Sequence, residues 1–408
     1  MQTYIKLLAK VLILFSLFAC SSDKSILEEN ENKIYLQNKT LSKVPLSLFT
    51  SGMEVVKLET TEESLLGTLN QIRISKRTIF LKDNILNGIY EFDKNGKFIR
   101  TLNKGGGGPG EYYAISDFLV DEQSQTLEVL DSQSKRILIY NLQDFSFINE
   151  IKISLTTFFC FAKKESVYYF STKGHANNIK ENLVYSDFIA LDTKTNNYTP
   201  FYCKDYIIES NQSWDFNNPF TVNSQNEVFV SSCWQNKCFK LEGNSITSIL
   251  SVDAGDQDIP DEIKRSSYDD KVNYLTSSSS NNTFLFYKMY MYEGEDFIVS
   301  CTKGFSPSLV YYYIRYQGED YLANTLINDY IAQAPEIDGD FFLMDKNSFI
   351  MLIAPDSDSP LLKPCIETFD LKPDDNPTIL IFNFKGRDED DLKTNNSRLL
   401  KTDDSSML

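Results

Sequence analysis

The sequence predicts an all-β chain folded as a six-bladed β-propeller with four-stranded blades. Three observations predict it. A polar turn is followed six times by a short aliphatic or aromatic run, a hairpin-like element recurs downstream at roughly 50-residue intervals, and each end of the repeating region carries a strand with no local partner.

The runs are Thr78–Leu81, Leu127–Leu130, Val167–Phe170, Glu227–Val230, Phe297–Ser300 and Phe349–Leu352. They lie about 40 to 70 residues apart, which suits one blade each plus variable loops. Several are apolar at consecutive positions, as a strand covered on both faces requires.

The recurring element is an outer hairpin. Ile89–Asp93 leads through Lys94-Asn-Gly-Lys97 into Phe98–Leu102, and Ile137–Tyr140 leads through Asn141–Asp144 to Phe147 and Ile151. Ile189–Asp192 leads through Thr193–Asn196 to Tyr198 and Phe201, and Phe239–Leu241 leads through Glu242–Ser245 to Ile246 and Ile249. Asn and Gly supply the positive-φ positions that hairpin turns need. The unpartnered strands are Glu54–Leu58 and Pro377–Phe384. Pairing them within one blade closes the ring and removes two exposed edges.

Residues 256–281 interrupt the period. Pro260, Ile263, Tyr268, Val272 and Leu275 predict one short helical insertion there, followed by a Ser-rich loop. An insertion between blades is a place for a rim feature. Residues 386–408 carry Asp388–Asp391 and no apolar period, and read as a disordered acidic tail. The propeller is expected over 34–385.

At the N-terminus, Lys6 and Lys10 precede an apolar stretch from Val11 to Ala19. That stretch is too short to span a bilayer, which takes about 20 residues, but it suits a signal peptide over residues 1–19. Leu17-Phe-Ala-Cys20 resembles a lipobox, which makes Cys20 the expected lipidation site. Residues 20–33 then read as the lipidated cysteine and a flexible tether.

Composition narrows the partners. With 29 Phe and 23 Tyr the chain favours strands. A net charge of −17 argues against nucleic acid, whose phosphates need a basic surface, and against docking on an anionic membrane except through the N-terminal lipid. Apart from Cys20 the cysteines are Cys160, Cys203, Cys233, Cys238, Cys301 and Cys365. Cys233 and Cys238 could face each other across a hairpin as a disulfide, which an exported protein permits. The alternative is that the cysteines are small buried apolar side chains. Cys233-x4-Cys238 lacks the second ligand pair of a zinc site.

Several of these segments together resemble a known family. Val55–Ser64, Ile89–Ile99, Gly105-Gly-Gly-Gly-Pro-Gly-Glu-Tyr112, Val129–Asp131 and Lys135–Ile137 are similar to the six-bladed β-propeller lipoproteins of Bacteroidota, which are NHL-like or TolB-like in pattern. Past residue 200 only the blade period and the closing strand carry the likeness. The resemblance implies the propeller fold and an outer-membrane lipoprotein address, with the periplasmic or surface face left open. It implies no activity and supplies no site residues.

The local motifs are weak. Gly105-x-Gly-x-x-Gly110 matches a dinucleotide fingerprint in letters, but Pro109 and the strand-like residues after Tyr112 offer no helix to face a pyrophosphate. A tight turn with Tyr112 packed beneath it is the better reading. His175 is the one histidine, read as an exposed loop residue, so any Ser-His-Asp triad would have to use it. Asp256, Asp258, Asp261 and Glu262, with Asp338 and Asp340, lack calcium-loop spacing. Trp214, Trp234 and Tyr311–Tyr313 with Tyr316 suit either a binding rim or packing between blades, and packing is favoured.

The expectation is therefore an envelope-anchored lipoprotein whose propeller binds or scaffolds a peptide, glycan or protein partner. No catalytic, metal or cofactor residue is nominated. The alternative is a calcium-assisted hydrolase or lyase working at the mouth of the central channel.

Overall fold

The computed structural model describes residues 26–27, 32–36, 41–203, 218–232, 236–264, 266–293, 296–304, 310–332, 335–337, 342–360 and 362–385. The chain enters through β1 (Ile26–Leu27), β2 (Asn32–Tyr35), β3 (Leu41–Pro45) and β4 (Thr50–Lys57). Blade 1 is β5 (Leu69–Ile74), β6 (Thr78–Asp83), β7 (Gly88–Asp93) and β8 (Phe98–Leu102). Blade 2 is β9 (Asp117–Asp121), β10 (Thr126–Asp131), β11 (Arg136–Asn141) and β12 (Phe147–Lys152). Blade 3 is β13 (Cys160–Lys164), β14 (Val167–Ser171), β15 (Ala176–Ile179), β16 (Asn182–Asp192) and β17 (Asn197–Cys203). Blade 4 is β18 (Phe220–Val222), β19 (Val228–Ser232), β20 (Lys237–Glu242) and β21 (Ser245–Asp253). Blade 5 is β22 (Phe284–Glu293), β23 (Asp296–Lys303), β24 (Val310–Tyr316), β25 (Glu319–Ile327) and β26 (Glu336–Ile337). Blade 6 is β27 (Phe342–Asp345), β28 (Ser348–Ile353) and β29 (Thr378–Phe384), with β4 as its fourth strand.

These six sheets form a six-bladed β-propeller. The first strand of each blade lies nearest the axis, and β5 packs beside both β9 and β27. Ring closure follows the expected pairing of the two ends, with Val56 opposite Ile379 and Val55 opposite Leu380.

The hydrophobic core is divided among the blade interfaces. Period-2 alternation sends neighbouring residues of one strand to opposite neighbours. Phe80 and Ile89 join Phe118, Leu127 and Val129 between blades 1 and 2. Ile79, Leu81 and Tyr90 turn the other way, toward Val56, Ile350 and Ile379 of blade 6. Separate clusters fill the interfaces of blades 2 and 3, 3 and 4, 4 and 5, and 5 and 6. Each interface buries side chains worth roughly 1.5 to 3 kcal/mol apiece.

The sequence reads residues up to 33 as tether, yet β1 and β2 pair in parallel with the outer strand β21 of blade 4. β3 does the same on β25 of blade 5. With β4, the N-terminal segment forms a belt across blades 4, 5 and 6. It is anchored by Ile34 and Leu36 in one interface and by Val44 in the next.

The insertion after β21 holds short helical turns and a helix over Tyr268–Thr276, capped where the Asp270 N–H donates to the Ser267 hydroxyl at 3.2 Å. It packs on Ile259, Leu275 and Leu285. A second helix, Lys363–Thr368, lies between β28 and β29, where no helix is expected from the sequence. It buries Cys365 and Leu362 against blades 5 and 6.

Candidate functional site

Antiparallel blades give the ring two unlike faces. One, the hairpin face, carries the tight turns between first and second strands and between third and fourth. The other, the crossover face, carries the turns between second and third strands and the connections from the last strand of one blade to the first of the next. Both helical insertions and the glycine-rich loop therefore lie on the crossover face.

At the axis, on the crossover side of β9, Asp117 is completely buried. Its Oδ1 accepts the Phe118 N–H at 2.8 Å and the Arg73 guanidinium at 3.4 Å. Its Oδ2 accepts the Phe161 N–H at 3.0 Å and the Asn218 amide at 2.9 Å. Four blades thus converge on one carboxylate. Burial raises its pKa, opposed by the Arg73 charge and by the Phe161 and Phe118 N–H donors. Lys82 donates to the Ser116 carbonyl at 3.2 Å beside it, and burial lowers its pKa against the pull of Asp117. Every acceptor direction of Asp117 is used, so it rivets the blades and holds no lone pair free for proton transfer. β18 and β27, from blades that are not neighbours, also approach within 8 Å between Cα atoms. The axis is narrow here, and this moves attention from the channel to the rim.

On that rim, three loops of blades 1 and 2 are locked together. Asp83 Oδ1 accepts the Ile85 and Leu86 N–H groups at 2.8 and 2.9 Å, and Oδ2 accepts that of Gly67. Asn87 donates to the Tyr113 carbonyl at 3.1 Å and accepts the Ile115 N–H at 2.9 Å. Asn376 accepts the Leu66 N–H at 2.9 Å, and Asp131 accepts the Tyr113 N–H at 3.0 Å. What this framework holds outward is apolar: Leu65 is 53% exposed, Ile85 72%, Leu86 42% and Tyr113 59%. Large apolar groups on fixed backbone form a preorganised contact surface.

The glycine-rich loop belongs to this framework. Tyr112 is buried under it and donates to the Leu102 carbonyl at 3.0 Å, while its phenol accepts the Lys104 N–H at 3.1 Å. Gly110 sits at a φ of 73°, and a Cβ there would run into Phe147. The loop is a packed inter-blade turn, as its residues suggest.

His175 departs from expectation. It is 6% exposed, with its ring 5.5 Å from that of Phe159. The β15–β16 hairpin extends blade 3 on this side, and Asn177 donates to the His175 carbonyl at 3.2 Å. Burial, then the Lys173 charge, lowers its pKa.

Of the acidic cluster, Asp258 is occupied by Lys264 at 2.9 Å and by the Ile259 N–H at 2.7 Å, and Asp261 lies 3.9 Å from the same Lys264 ammonium. Among the described residues no three His, Cys, Asp or Glu side chains gather closely enough to hold a metal ion. Tyr312, Tyr313 and Tyr316 are buried between blades, while Tyr311 is partly buried against the interface of blades 4 and 5. Cys238 is buried, whereas Cys233, Trp214, Trp234, Asp338, Asp340 and Cys20 lie outside the described residues.

No local motif marks the rim cluster. The nearest signal is the adjacency of Ile85 and Leu86 in a turn, where apolar residues are unexpected.

A family model described as a domain of unknown function, DUF4934, matches residues 31–383. Among solved structures, a Bacteroides fragilis protein described as exported superposes with a TM-score of 0.61 at 16% identity, covering 87% of this chain and 100% of that one. A DUF4221-family member from Bacteroides vulgatus gives 0.49 at 9% identity, covering 82% of this chain and 97% of its own. No curated protein matches. The likeness to the B. fragilis protein is one of fold.

Proposed function

From a chain that belongs to the DUF4934 family, we propose an exported binding protein, lipid-anchored through Cys20 at the bacterial envelope, that holds a protein or peptide on its crossover face. The rigid apolar lip of Leu65, Ile85, Leu86 and Tyr113 carries this reading. Three of the four are aliphatic. A glycan partner would call for flat aromatic platforms, whereas aliphatic side chains complement apolar side chains of a polypeptide. The signal-like segment before Cys20 and the exported B. fragilis relative support the envelope address.

The test is an Ile85→Asp/Leu86→Asp double variant, expressed in the native host and crosslinked in intact envelopes. Both side chains are exposed, so the melting temperature should hold. A partner crosslinked to the wild type and lost from the double variant supports the reading. Equal crosslinking to both overturns it.

A further inference from the structure

The apolar lip carries unlike charge at its two ends. Asn376 holds the backbone on both sides of Leu65: its amide donates to the Ser64 carbonyl at 2.8 Å, and its oxygen accepts the Leu66 N–H at 2.9 Å. The same amide donates to the Glu59 carbonyl at 2.8 Å, and the Asn376 N–H donates to the Thr60 hydroxyl at 2.8 Å. The connection from β4 to β5 and the one that enters β29 are thereby fixed against each other at the blade 6 end of the lip.

Both connections are acidic. Exposed Glu62 and Glu63 stand three and two positions before Leu65, and exposed Asp374 and Asp375 come just before Asn376. Asp375 accepts the Lys372 N–H at 2.9 Å. Glu62, Glu63 and Asp374 have no ion-pair or hydrogen-bond partner among the described residues. The exposed cations here are Lys372 and Lys57, whose ammonium donates to the Phe369 carbonyl. Exposed Asp370 offsets one of them, while Glu59 faces the β7–β8 turn, where it accepts the Phe98 N–H at 2.9 Å near Lys97. The adjoining helix carries one exposed charge of each sign, Lys363 and Glu367. An excess of carboxylate therefore remains beside Leu65.

The rest of the lip lacks it. In residues 83–88, 103–116 and 132–135 the one exposed charged side chain is Lys135. Lys104 and Glu111 turn inward, the first to the Phe145 carbonyl at 2.8 Å and the second to the Gly108 N–H at 2.8 Å. The surface thus runs from carboxylates at Leu65, through Ile85 and Leu86, to Tyr113 and a single lysine.

We propose that the lip holds a polypeptide segment in which apolar residues adjoin lysine or arginine, with the cationic end lying over Glu62, Glu63 and Asp374. This rests on the partner site proposed above and assigns its partner's chemistry. Apolar contact supplies the affinity, while rim charge steers the encounter and rejects wrong partners. An acidic segment seated in the same way would bring like charges together.

A random peptide library displayed on phage is panned on the full chain, and the enriched peptides are measured against two variants. One is Glu62→Lys/Glu63→Lys/Asp374→Lys and the other is Ile85→Asp/Leu86→Asp. Every replaced side chain is exposed, so both variants should keep the wild-type melting temperature. Enriched peptides should join apolar residues to lysine or arginine and bind the triple variant about tenfold more weakly. That difference should shrink as salt rises from about 0.05 to about 0.5 M. Peptides that fail on the double variant but bind the triple variant unchanged, or that carry no cationic end, overturn the cationic partner alone. Peptides that bind all three proteins equally, or no enrichment at all, overturn the partner site and this inference together.

Discussion

The imidazole of His175 is packed against Phe159, with the Lys173 ammonium 5.0 Å from the centre of that ring. Its lowered pKa has a thermodynamic consequence. In the unfolded chain a histidine takes its proton near pH 6.5. Between that pH and the lower folded value the unfolded state binds more protons, so stability falls as pH falls. Above about pH 6.5 the neutral ring carries no such penalty. The slope of melting temperature between pH 7.5 and 5.5 should flatten in His175→Gln, as scanning calorimetry at both pH values would show; an unchanged slope would remove His175 as its source. A single histidine in a polar stretch gives no sign of this, because the ring it packs against, Phe159, comes from the connection that leads into β13. Asp117 was equally hidden. Its partners Arg73, Phe161 and Asn218 come from three other blades, and nothing near it in the chain distinguishes it from the surface acids.

Among elements, the second strand of each blade is the most legible, because β6, β10, β14, β19, β23 and β28 are covered on both sides and most of their apolar runs are continuous. The first strands gave less, since β5 mixes half-exposed Gln71 and Arg73 with buried Ile72. Turn chemistry was legible too, but not what the turns touch. Gly96, in the β7–β8 turn, has a φ of 85°, and a Cβ there would collide with the Lys57 carbonyl of the closing strand. The Gly96 carbonyl accepts the Glu59 N–H at 2.8 Å, so the turn also fixes the exit of β4. Gly96→Ala should cost at least about 2 kcal/mol, combining a left-handed residue with a backbone clash. Chemical denaturation would read this as a lower midpoint at unchanged slope. A neutral result would mean that the β4 exit shifts freely. Lys363–Thr368 is not legible because it is a short helix entered through Pro364, with no amphipathic repeat.

At the scale of the whole ring, the blade count and the β4–β29 closure followed from repeat spacing and from two leftover strands. The belt did not, because Ile26–Leu27 and Asn32–Tyr35 are too short and too polar to show a period, and their pairing is with strands more than two hundred positions away. Deleting residues 21–45 while keeping Cys20 would strip Ile34, Leu36 and Val44 from two interfaces. The loss should be on the order of 5 kcal/mol. Hydrogen exchange should quicken in β21 and β25, leaving blades 1 to 3 protected; uniform protection would show the belt to be dispensable. The same feature sets an order of events during synthesis. β1 to β4 emerge first, yet their partners span residues 245 to 384 and arrive last. Blades 1 to 3 can assemble from neighbouring hairpins as they appear, while the leading segment waits in extended form. Such non-local pairing is slow. The cell must therefore shield a run of unpaired strand edges between the synthesis of the first residues and the last, an interval set by the speed of elongation and not by the stability of the finished ring.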